Sequence, residues 1–342
     1  MSKVFVGMSG GVDSSLTAAL LNEQGHDVTG VYMKNWSQDL PGMKCPWAED
    51  LADAKRVAVQ LGIDFKVFDF EKEYKSKVVD YMISEYELGR TPNPDIMCNQ
   101  EVKFKLFLQT ALENGADMIA TGHYARTKDG ELLRAKDETK DQTYFLYRVD
   151  SPALTKTLFP LGDFLKSEVR EMARERGLYT ASKKESMGIC FVGQVGIREF
   201  LSQYVETKPG DIVDKQTGEV IGRHDGAIFY TLGQRHGLDV GGGMPYYVVG
   251  KDMSHNVVYV SQNINDDTIW RRQVEVENLH WINETPQPNE ALHVRIRHRA
   301  PLVKGTLDHN SLSLDEPQRA VTSGQSVVFY RDEICLGGGI VV

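Results

Sequence analysis

The chain has 342 residues, of which 41% are hydrophobic and 25% are charged, and its formal net charge at pH 7 is −9. This length predicts two or three domains, and the composition is that of an ordinary globular protein. The acidic balance excludes a protein that coats nucleic acid indiscriminately, although it allows a local basic patch. No apolar run approaches membrane-spanning length and the chain enters a strand almost at once, so we expect a cytoplasmic protein with no membrane partner.

The first half of the chain alternates strand-like and helix-like runs, which is typical of an α/β fold with a doubly wound, mainly parallel sheet. The predicted elements, in chain order, are strand 4–8, helix 14–24, strand 27–33, helix 48–61, strand 64–68, helix 71–88, helix 99–114, strand 118–121 and helix 166–176. We therefore predict a Rossmann-like catalytic domain over residues 1–195.

From about Pro209 the pattern changes to closely spaced β runs that are separated by Gly, Asp and Asn. These runs predict a small β-rich central domain at 196–264. The last runs, at 291–299, 305–314 and 326–342, predict a C-terminal antiparallel β-barrel at 265–342.

A glycine-rich turn joins the first predicted strand to the first predicted helix. It reads Gly7-Met8-Ser9-Gly10-Gly11-Val12-Asp13-Ser14. The glycines let backbone N–H groups approach an anion, and the start of the helix adds the positive end of its dipole. The turn lacks the Gly-Lys-Ser/Thr ending of the P-loop. It predicts a phosphate site, and a βα turn without a ligand is the alternative.

The four cysteines, Cys45, Cys98, Cys190 and Cys335, are too few and too scattered for a disulfide framework, and they form no CxxC pair for zinc. The sequence thus predicts no metal site, and any special cysteine is expected to be reactive.

Cys98 follows a proline-stiffened segment that begins at Asn93. Asp95 is a plausible N-cap, which places Cys98 in the first turn of a helix, where thiolate is favoured and a nearby carboxylate can pass protons. A charged Asp95 would oppose this by raising the pKa of the thiol. An incidental buried cysteine behind a capping aspartate is the alternative.

Cys190 lies in a small, polar, glycine-containing loop at 182–191. Such a loop suits a mobile catalytic segment, and Lys183 and Lys184 would favour a thiolate. A linker cysteine that merely packs is the alternative.

These three segments together resemble the tRNA-specific 2-thiouridylases, which are ATP pyrophosphatases with a Ser-Gly-Gly-x-Asp-Ser (PP-loop) turn. The resemblance covers the whole chain and continues through Thr121–Ala125, Lys140–Leu146, Tyr230–Arg235, Ser323–Tyr330 and Gly337–Ile340.

The resemblance implies that ATP adenylates the C2 oxygen of the wobble uridine of tRNA, with release of pyrophosphate, before sulfur replaces that oxygen. Asp13 would also hold Mg²⁺. The ATP-binding residues would be Gly7, Met8, Ser9, Gly10, Gly11, Val12, Asp13 and Ser14 at the phosphates and Met33 and Gly122 at the adenosine.

The resemblance also assigns the sulfur chemistry. Cys190 would carry a persulfide, delivered by a cysteine desulfurase or a sulfur-relay protein. Cys98 would resolve it and leave a Cys98–Cys190 disulfide, while Asp95 serves as general acid or base.

The expected tRNA contacts are Asn93, Pro94, Asp95, His123, Lys140, Asp141, Gln142, Arg297, His298 and Gln325. Arg295, Arg297 and Arg299 alternate along a predicted strand, so we expect them on one face that follows the phosphate backbone. A solvated charged face is the alternative.

Three other classes share part of this pattern. ATP-dependent amide ligases have the same turn but do not need the cysteines, and a non-enzymatic RNA-binding protein would not need the intact turn. Enzymes of the 4-thiouridine or 2-thiocytidine type would carry a different added domain or an iron–sulfur CxxC pattern, and the sequence contains neither.

Overall fold

The structure is a computed structural model that describes residues 1–39, 45–184, 196–241, 243–263 and 265–342. Cys190 therefore lies outside the described residues. Among the described residues, no helix is both long enough and apolar enough to cross a membrane.

The first domain is built on a five-stranded parallel sheet in the order β3-β2-β1-β4-β7. Its strands are β1 Lys3–Gly7, β2 Asp27–Lys34, β3 Asp64–Asp69, β4 Met118–Ala120 and β7 Thr157–Leu158. The strand order reverses between β1 and β4, which is the position where open α/β sheets bind ligands at their carboxyl edge. The prediction of a doubly wound parallel sheet is confirmed.

Helices cover both faces of this sheet. They are α1 Val12–Glu23, α2 Trp47–Leu61, α3 (Glu71–Tyr74, π-helical Lys75–Val79, Asp80–Glu87), α4 (Pro94–Met97, π-helical Cys98–Phe107, Leu108–Glu113), α5 Thr143–Leu146, α6 Ser151–Leu154 and α7 Lys166–Glu175.

The side chains of β1 explain why helices pack on both faces of the sheet. Val4 and Val6 pack into one cluster with residues of α1 and α2, while Phe5 points to the opposite face and packs with residues of α3 and α4. A strand that is apolar at successive positions is buried on both faces, as its sequence predicts.

The central domain begins with helix α8 Ile197–Leu201 and holds a four-stranded sheet in the order β10-β11-β8-β9. Its strands are β8 Gly210–Asp214, β9 Val220–His224, β10 Tyr247–Asp252 and β11 Val257–Ser261. Residues 215–219 separate β8 from β9, and residues 253–256 separate β10 from β11. Two short 3₁₀ turns, Ala227–Phe229 and Asp267–Ile269, accompany these strands.

The C-terminal strands form an antiparallel barrel that the pairing of β12 with β17 closes. They are β12 Trp270–Trp281, β13 Ala291–Arg295, β14 Val303–Asp308, β15 Ser311–Arg319, β16 Ser326–Arg331 and β17 Ile334–Val341. The predicted barrel is confirmed, but β13 ends at Arg295, four residues earlier than predicted, and the run at 305–314 contains a turn between β14 and β15.

A hairpin of the first domain extends the barrel sheet. Its strands are β5 Arg126–Lys128 and β6 Glu131–Leu133. Leu132 and Leu133 of β6 pair with Cys335 and Ile334 of β17. The first and last parts of the chain are therefore joined by backbone pairing as well as by side chains.

Candidate active site

The glycine-rich turn lies at the carboxyl end of β1. Gly10 has a φ of +75°, and a Cβ there would lie 2.4 Å from the carbonyl oxygen of Asp50 in the first turn of α2. The position therefore requires glycine for its backbone angle and for the close approach of α2. Gly11 is the N-cap of α1, and no side-chain hydrogen bond caps the helix start within the part of the chain that the structure describes. The first N–H groups of α1 thus point to a site that suits an anion.

Met33 and Gly122 both meet this turn. A Cβ on Gly7 would lie 3.0 Å from the Cε of Met33, and a Cβ on Gly122 would lie 2.8 Å from backbone atoms of Asp13 and Ser14. The structure thus brings both residues to the turn at the carboxyl edge of the sheet. Their contact with adenosine stays a prediction.

Asp13 has two partners that the sequence did not indicate. The ammonium of Lys166 lies 2.6 and 2.8 Å from the two carboxylate oxygens, and the hydroxyl of Tyr124 donates to the same carboxylate at 3.0 Å. Lys166 is the first residue of α7, where the helix dipole disfavours a cation. That misfit is the one sequence signal that could have identified Lys166 as a site residue.

The segment from Asn93 to Cys98 begins α4 two positions earlier than predicted. The side-chain oxygen of Asn93 accepts a hydrogen bond from the N–H of Asp95 at 3.2 Å, and Pro94 is the first helical residue. Asn93 is therefore the N-cap, and the prediction that Asp95 caps the helix is wrong. The predicted place of Cys98 in the first turn is wrong as well, because Cys98 is a buried residue one turn further along.

The charge of Lys103 acts on both Asp95 and His123. Burial raises the pKa of Asp95, and the nearby charge of Lys103 opposes that rise. Burial also lowers the pKa of His123 well below its ordinary value, and the same lysine lowers it further. The imidazole of His123 is therefore neutral at pH 7. Lys103 was missed because nothing in the sequence distinguishes it from Lys105, the other lysine of α4.

His123 is packed between aromatic rings. Its ring centroid lies 5.6 Å from that of Phe104 and 6.2 Å from that of Phe159. Its Nδ1 lies 2.8 Å from the hydroxyl oxygen of Thr121, which holds the ring in place. A contact between His123 and tRNA stays a prediction.

The predicted RNA-facing residues at 140–142 have different environments. Asp141 is fully buried and accepts hydrogen bonds from Arg295, Thr143 and the N–H of Ala135. Its carboxylate is therefore held inside the protein, and a contact of Asp141 with RNA stays a prediction. The side-chain oxygen of Gln142 accepts from the N–H of Tyr124 at 2.9 Å, and Lys140 is half-buried.

The predicted alternation of arginines on one face is also wrong. Arg295 is buried in its pair with Asp141, and the chain leaves β13 directly afterwards. Arg299 adopts a φ of +63° in a turn. Arg297 and Arg299 are exposed, whereas the ring of His298 lies 4.3 Å from that of Phe145 and burial lowers the pKa of His298 to about 4.

Lys183 does not stand free to favour a thiolate. Its ammonium lies 2.8 Å from a carboxylate oxygen of Asp50 and 2.6 Å from one of Asp53. Of the two lysines invoked for Cys190, one is therefore committed to carboxylates of α2. The Cys98–Cys190 pairing lies outside the described residues and stays a prediction.

The geometry first defines a class. A parallel sheet whose first strand runs into Ser-Gly-Gly-x-Asp-Ser, with the start of α1 at its carboxyl edge, is the PP-loop form of an ATP-binding domain. Three family models match successive parts of the chain: the tRNA methyl transferase HUP domain over 2–194, the tRNA methyl transferase PRC-barrel domain over 198–262 and the aminomethyltransferase beta-barrel domain over 271–341.

Two curated relatives match almost the whole chain. The tRNA-specific 2-thiouridylase MnmA 2 of Geobacillus kaustophilus is 48% identical, and the tRNA-specific 2-thiouridylase MnmA of Geobacillus thermodenitrificans is 47% identical. Each alignment covers 99% of this chain and 94% of the relative. The chain belongs to the family of tRNA-specific 2-thiouridylases.

A weaker likeness is found to the solved complex of a 4-thiouridine synthetase with RNA and bound ATP. It has a TM-score of 0.40 and 22% identity, and it covers 59% of this chain and 50% of the other.

Proposed function

We propose that this chain is a tRNA sulfurtransferase that converts the wobble uridine of tRNA to 2-thiouridine at the expense of ATP. Identity of 48% and 47% to thiouridylases over nearly the full length supports this activity. The matched domain models carry the names of methyl and aminomethyl transfer, but the ATP-binding turn and the Asp95–Cys98 segment suit activation and sulfur transfer.

The observation that carries the proposal is that Gly122 and His123, which are adjacent in the chain, link the ATP-binding turn to the segment that contains Asp95 and Cys98. Gly122 lies so close to the ATP-binding turn that a Cβ on it would be 2.8 Å from backbone atoms of Asp13 and Ser14. The next residue, His123, packs on Phe104 of α4, and the neighbouring Lys103 acts on Asp95. The ATP-binding turn and the segment with Asp95 and Cys98 are thus linked through two consecutive residues, Gly122 and His123.

The ATP-binding turn would hold the phosphates through the backbone N–H groups at the start of α1. The ammonium of Lys166 would move from Asp13 to a phosphate oxygen, which frees the Asp13 carboxylate to hold Mg²⁺. No cluster of three or more His, Cys, Asp or Glu suited to a metal occurs in the described ranges. One carboxylate together with substrate phosphates is a common way to hold Mg²⁺.

Sulfur transfer then proceeds in three steps. The uracil C2 oxygen attacks the α-phosphate and pyrophosphate leaves. The terminal sulfur of a Cys190 persulfide attacks C2, and AMP departs with the oxygen. The Cys98 thiolate attacks the inner sulfur, which leaves 2-thiouridine and a Cys98–Cys190 disulfide that a thiol reductant must reopen. Asp95 would move the protons.

The target base must leave its stack before this chemistry. Asn93, Pro94 and Asp95 line the start of α4 beside Cys98 and would receive the flipped uracil, while the exposed Arg297 would contact the phosphate backbone. A cysteine desulfurase or a relay protein would load Cys190.

The test is Cys98→Ser, with Cys45→Ser as the control. Purified protein is given unmodified tRNA, ATP and a persulfide donor, and 2-thiouridine is measured by mass analysis of nucleosides. We expect Cys98→Ser to abolish the product and to bind ATP normally, while Cys45→Ser stays active. Product formation by Cys98→Ser near the wild-type rate would contradict the proposed chemistry.

Pyrophosphate exchange separates the competing classes. Exchange that depends on unmodified tRNA supports the proposal. Exchange with a small carboxylic acid alone would indicate an amide ligase, and an absence of exchange under every condition would indicate an RNA-binding protein.

A further inference from the structure

Thr91 lies two residues before Asn93 and joins three parts of the chain. Its N–H donates to the carbonyl of Ser323 at 2.8 Å, and its carbonyl accepts from the side-chain amide of Gln325 at 2.6 Å. Its hydroxyl oxygen lies 3.2 Å from that of Thr231. The backbone N–H, the carbonyl and the hydroxyl of Thr91 are thus each engaged by the central domain or the barrel.

The partners of Thr91 are held firmly in their own domains. The carbonyl of Gln325 accepts from the N–H of Val341 on β17 at 2.8 Å, and the N–H of Gly324 donates to the carbonyl of Val341 at 2.9 Å. The N–H of Thr231 donates to the side chain of Gln234 at 3.0 Å. Both partner segments, Tyr230–Arg235 and Ser323–Tyr330, belong to the stretches that carry the family resemblance, and only Gln325 among their residues had a predicted role.

The two domains also press closely on the segment 89–92. Gly324 has a φ of +88°, and a Cβ there would lie 2.8 Å from the N of Thr91. Gly89 has a φ of +78°, and its Cβ would lie 2.5 Å from the side chain of Met253 in the central domain. Arg90 pairs with Glu277 of the barrel at 2.6 Å. Any side chain at either glycine would push this segment away.

A stiff connection runs from Thr91 to the active site. Pro92 and Pro94 are both buried and fix their own φ angles, and Thr91 is restricted to extended conformations because it precedes a proline. Asn93 between them caps the helix that carries Asp95 and Cys98. A shift of Thr91 is therefore passed on to Asp95 and Cys98 instead of being absorbed.

We propose that Thr91, Thr231 and Gln325 are positioning residues that align Asp95 and Cys98 with the target uridine. This inference rests on the proposed function. It ties the orientation of the central domain and the barrel, across which the tRNA body would lie, to the geometry of the reacting groups. In this role Gln325 acts through Thr91, which differs from the direct RNA contact that the sequence predicted.

The experiment compares Gln325→Met, Thr231→Val and the double variant, which remove the amide, the hydroxyl or both at nearly unchanged volume. The single-turnover rate of 2-thiouridine formation is measured at saturating ATP and tRNA, and the Kd for tRNA is measured separately. We expect the rate to fall roughly 10- to 100-fold, which is the range for a small misplacement of reacting groups, with little change in Kd. Because both residues act through Thr91, the double variant should lose less than the product of the single losses.

The controls separate positioning from folding. Gln318→Met changes an amide on β15 that bonds the carbonyl of Glu316 in its own strand and should behave as wild type. Thr231→Ser keeps the hydroxyl and should restore the rate. A rate loss in Thr231→Ser as large as that in Thr231→Val would contradict the proposal.

Other outcomes overturn the proposal in distinct ways. A raised tRNA Kd with a normal saturated rate in Gln325→Met would make Gln325 a direct RNA contact. Wild-type rates in both single variants would remove Thr91 from catalysis altogether. An inactive wild-type protein would instead contradict the proposed function.

Discussion

Two carboxylate–cation pairs in this protein have nearly the same geometry and different surroundings. Asp13 and Lys166 are 2.6 Å apart at the ATP-binding turn, and their side chains are 31% and 12% exposed. Asp141 and Arg295 are 2.8 Å apart between the first domain and the barrel, and their side chains are 0% and 6% exposed. The first pair is open to an arriving ligand, and the second is closed to it.

Burial decides what such a pair can do. A partly exposed ammonium can leave its carboxylate for a phosphate because water and the ligand compensate both charges. A buried pair has no such exchange, and removing one partner leaves an uncompensated charge in a medium that solvates it poorly. The pair at the turn is therefore suited to function and the pair at the barrel to structure.

Arg295→Met tests the buried pair and should have the largest effect on stability. It leaves the Asp141 carboxylate buried without its cation, so we expect a loss of about 3 to 5 kcal/mol in the free energy of unfolding. Urea denaturation measures this. Arg297→Met, a change at an exposed position, should stay within about 0.5 kcal/mol. Equal stability of the two variants would remove the distinction between buried and open arginines.

Lys166→Met tests the open pair. In contrast to Arg295→Met, it should lower the reaction rate strongly and the stability only slightly. We expect the free energy of unfolding to change by less than about 1 kcal/mol. The single-turnover rate at saturating ATP should fall roughly 100-fold, because a charge that stabilises the transferred phosphate is lost. Lys136→Met is the control. Lys136 lies outside α7 and forms an exposed ion pair with Glu168, which is on the same helix as Lys166. A normal rate in Lys166→Met would leave the Asp13 pair without a catalytic role.

Lys103→Met tests a third charge, which lowers the pKa of Asp95. Burial raises the pKa of Asp95 and Lys103 opposes this, so removing the lysine should raise the pKa further. Burial keeps His123 neutral, so it does not replace the lost charge. The acidic limb of the pH–rate profile of thiolation should therefore move to higher pH.

Lys105→Met is the matched control on α4, because Lys105 is exposed and pairs with Glu101 at 3.0 Å. Its profile should equal that of wild type. Superimposable profiles of the Lys103 and Lys105 variants would show that Lys103 does not tune the pKa of Asp95.

Arg297→Ala should have the smallest effect. As one phosphate contact, Arg297 should contribute about 0.7 to 0.9 to the slope of log K against log salt. Filter binding of tRNA across a salt series measures the slope, while turnover at saturating tRNA should change little. An unchanged slope would place Arg297 outside the RNA interface.

The sequence alone determined the parts of this protein that depend on neighbouring residues. The turn from Gly7 to Ser14, the parallel sheet and the antiparallel barrel follow from glycine placement and from runs of apolar residues, which act through backbone geometry over a few positions. The start of α4 was predicted to within two residues, because prolines and capping residues act locally as well. Asn93 took the cap from Asp95 since Pro94 fits the first helical position.

Only the tertiary structure decided the role of each charged or polar side chain. Arg295 and Arg297 are indistinguishable in the sequence, yet one is buried because Asp141 lies 154 positions away in the chain and beside it in space. Lys166 meets Asp13 across 153 positions, and Gln325 meets Thr91 across 234. The physical reason is that desolvation and pairing depend on which distant elements pack together, and no local pattern of residues encodes that.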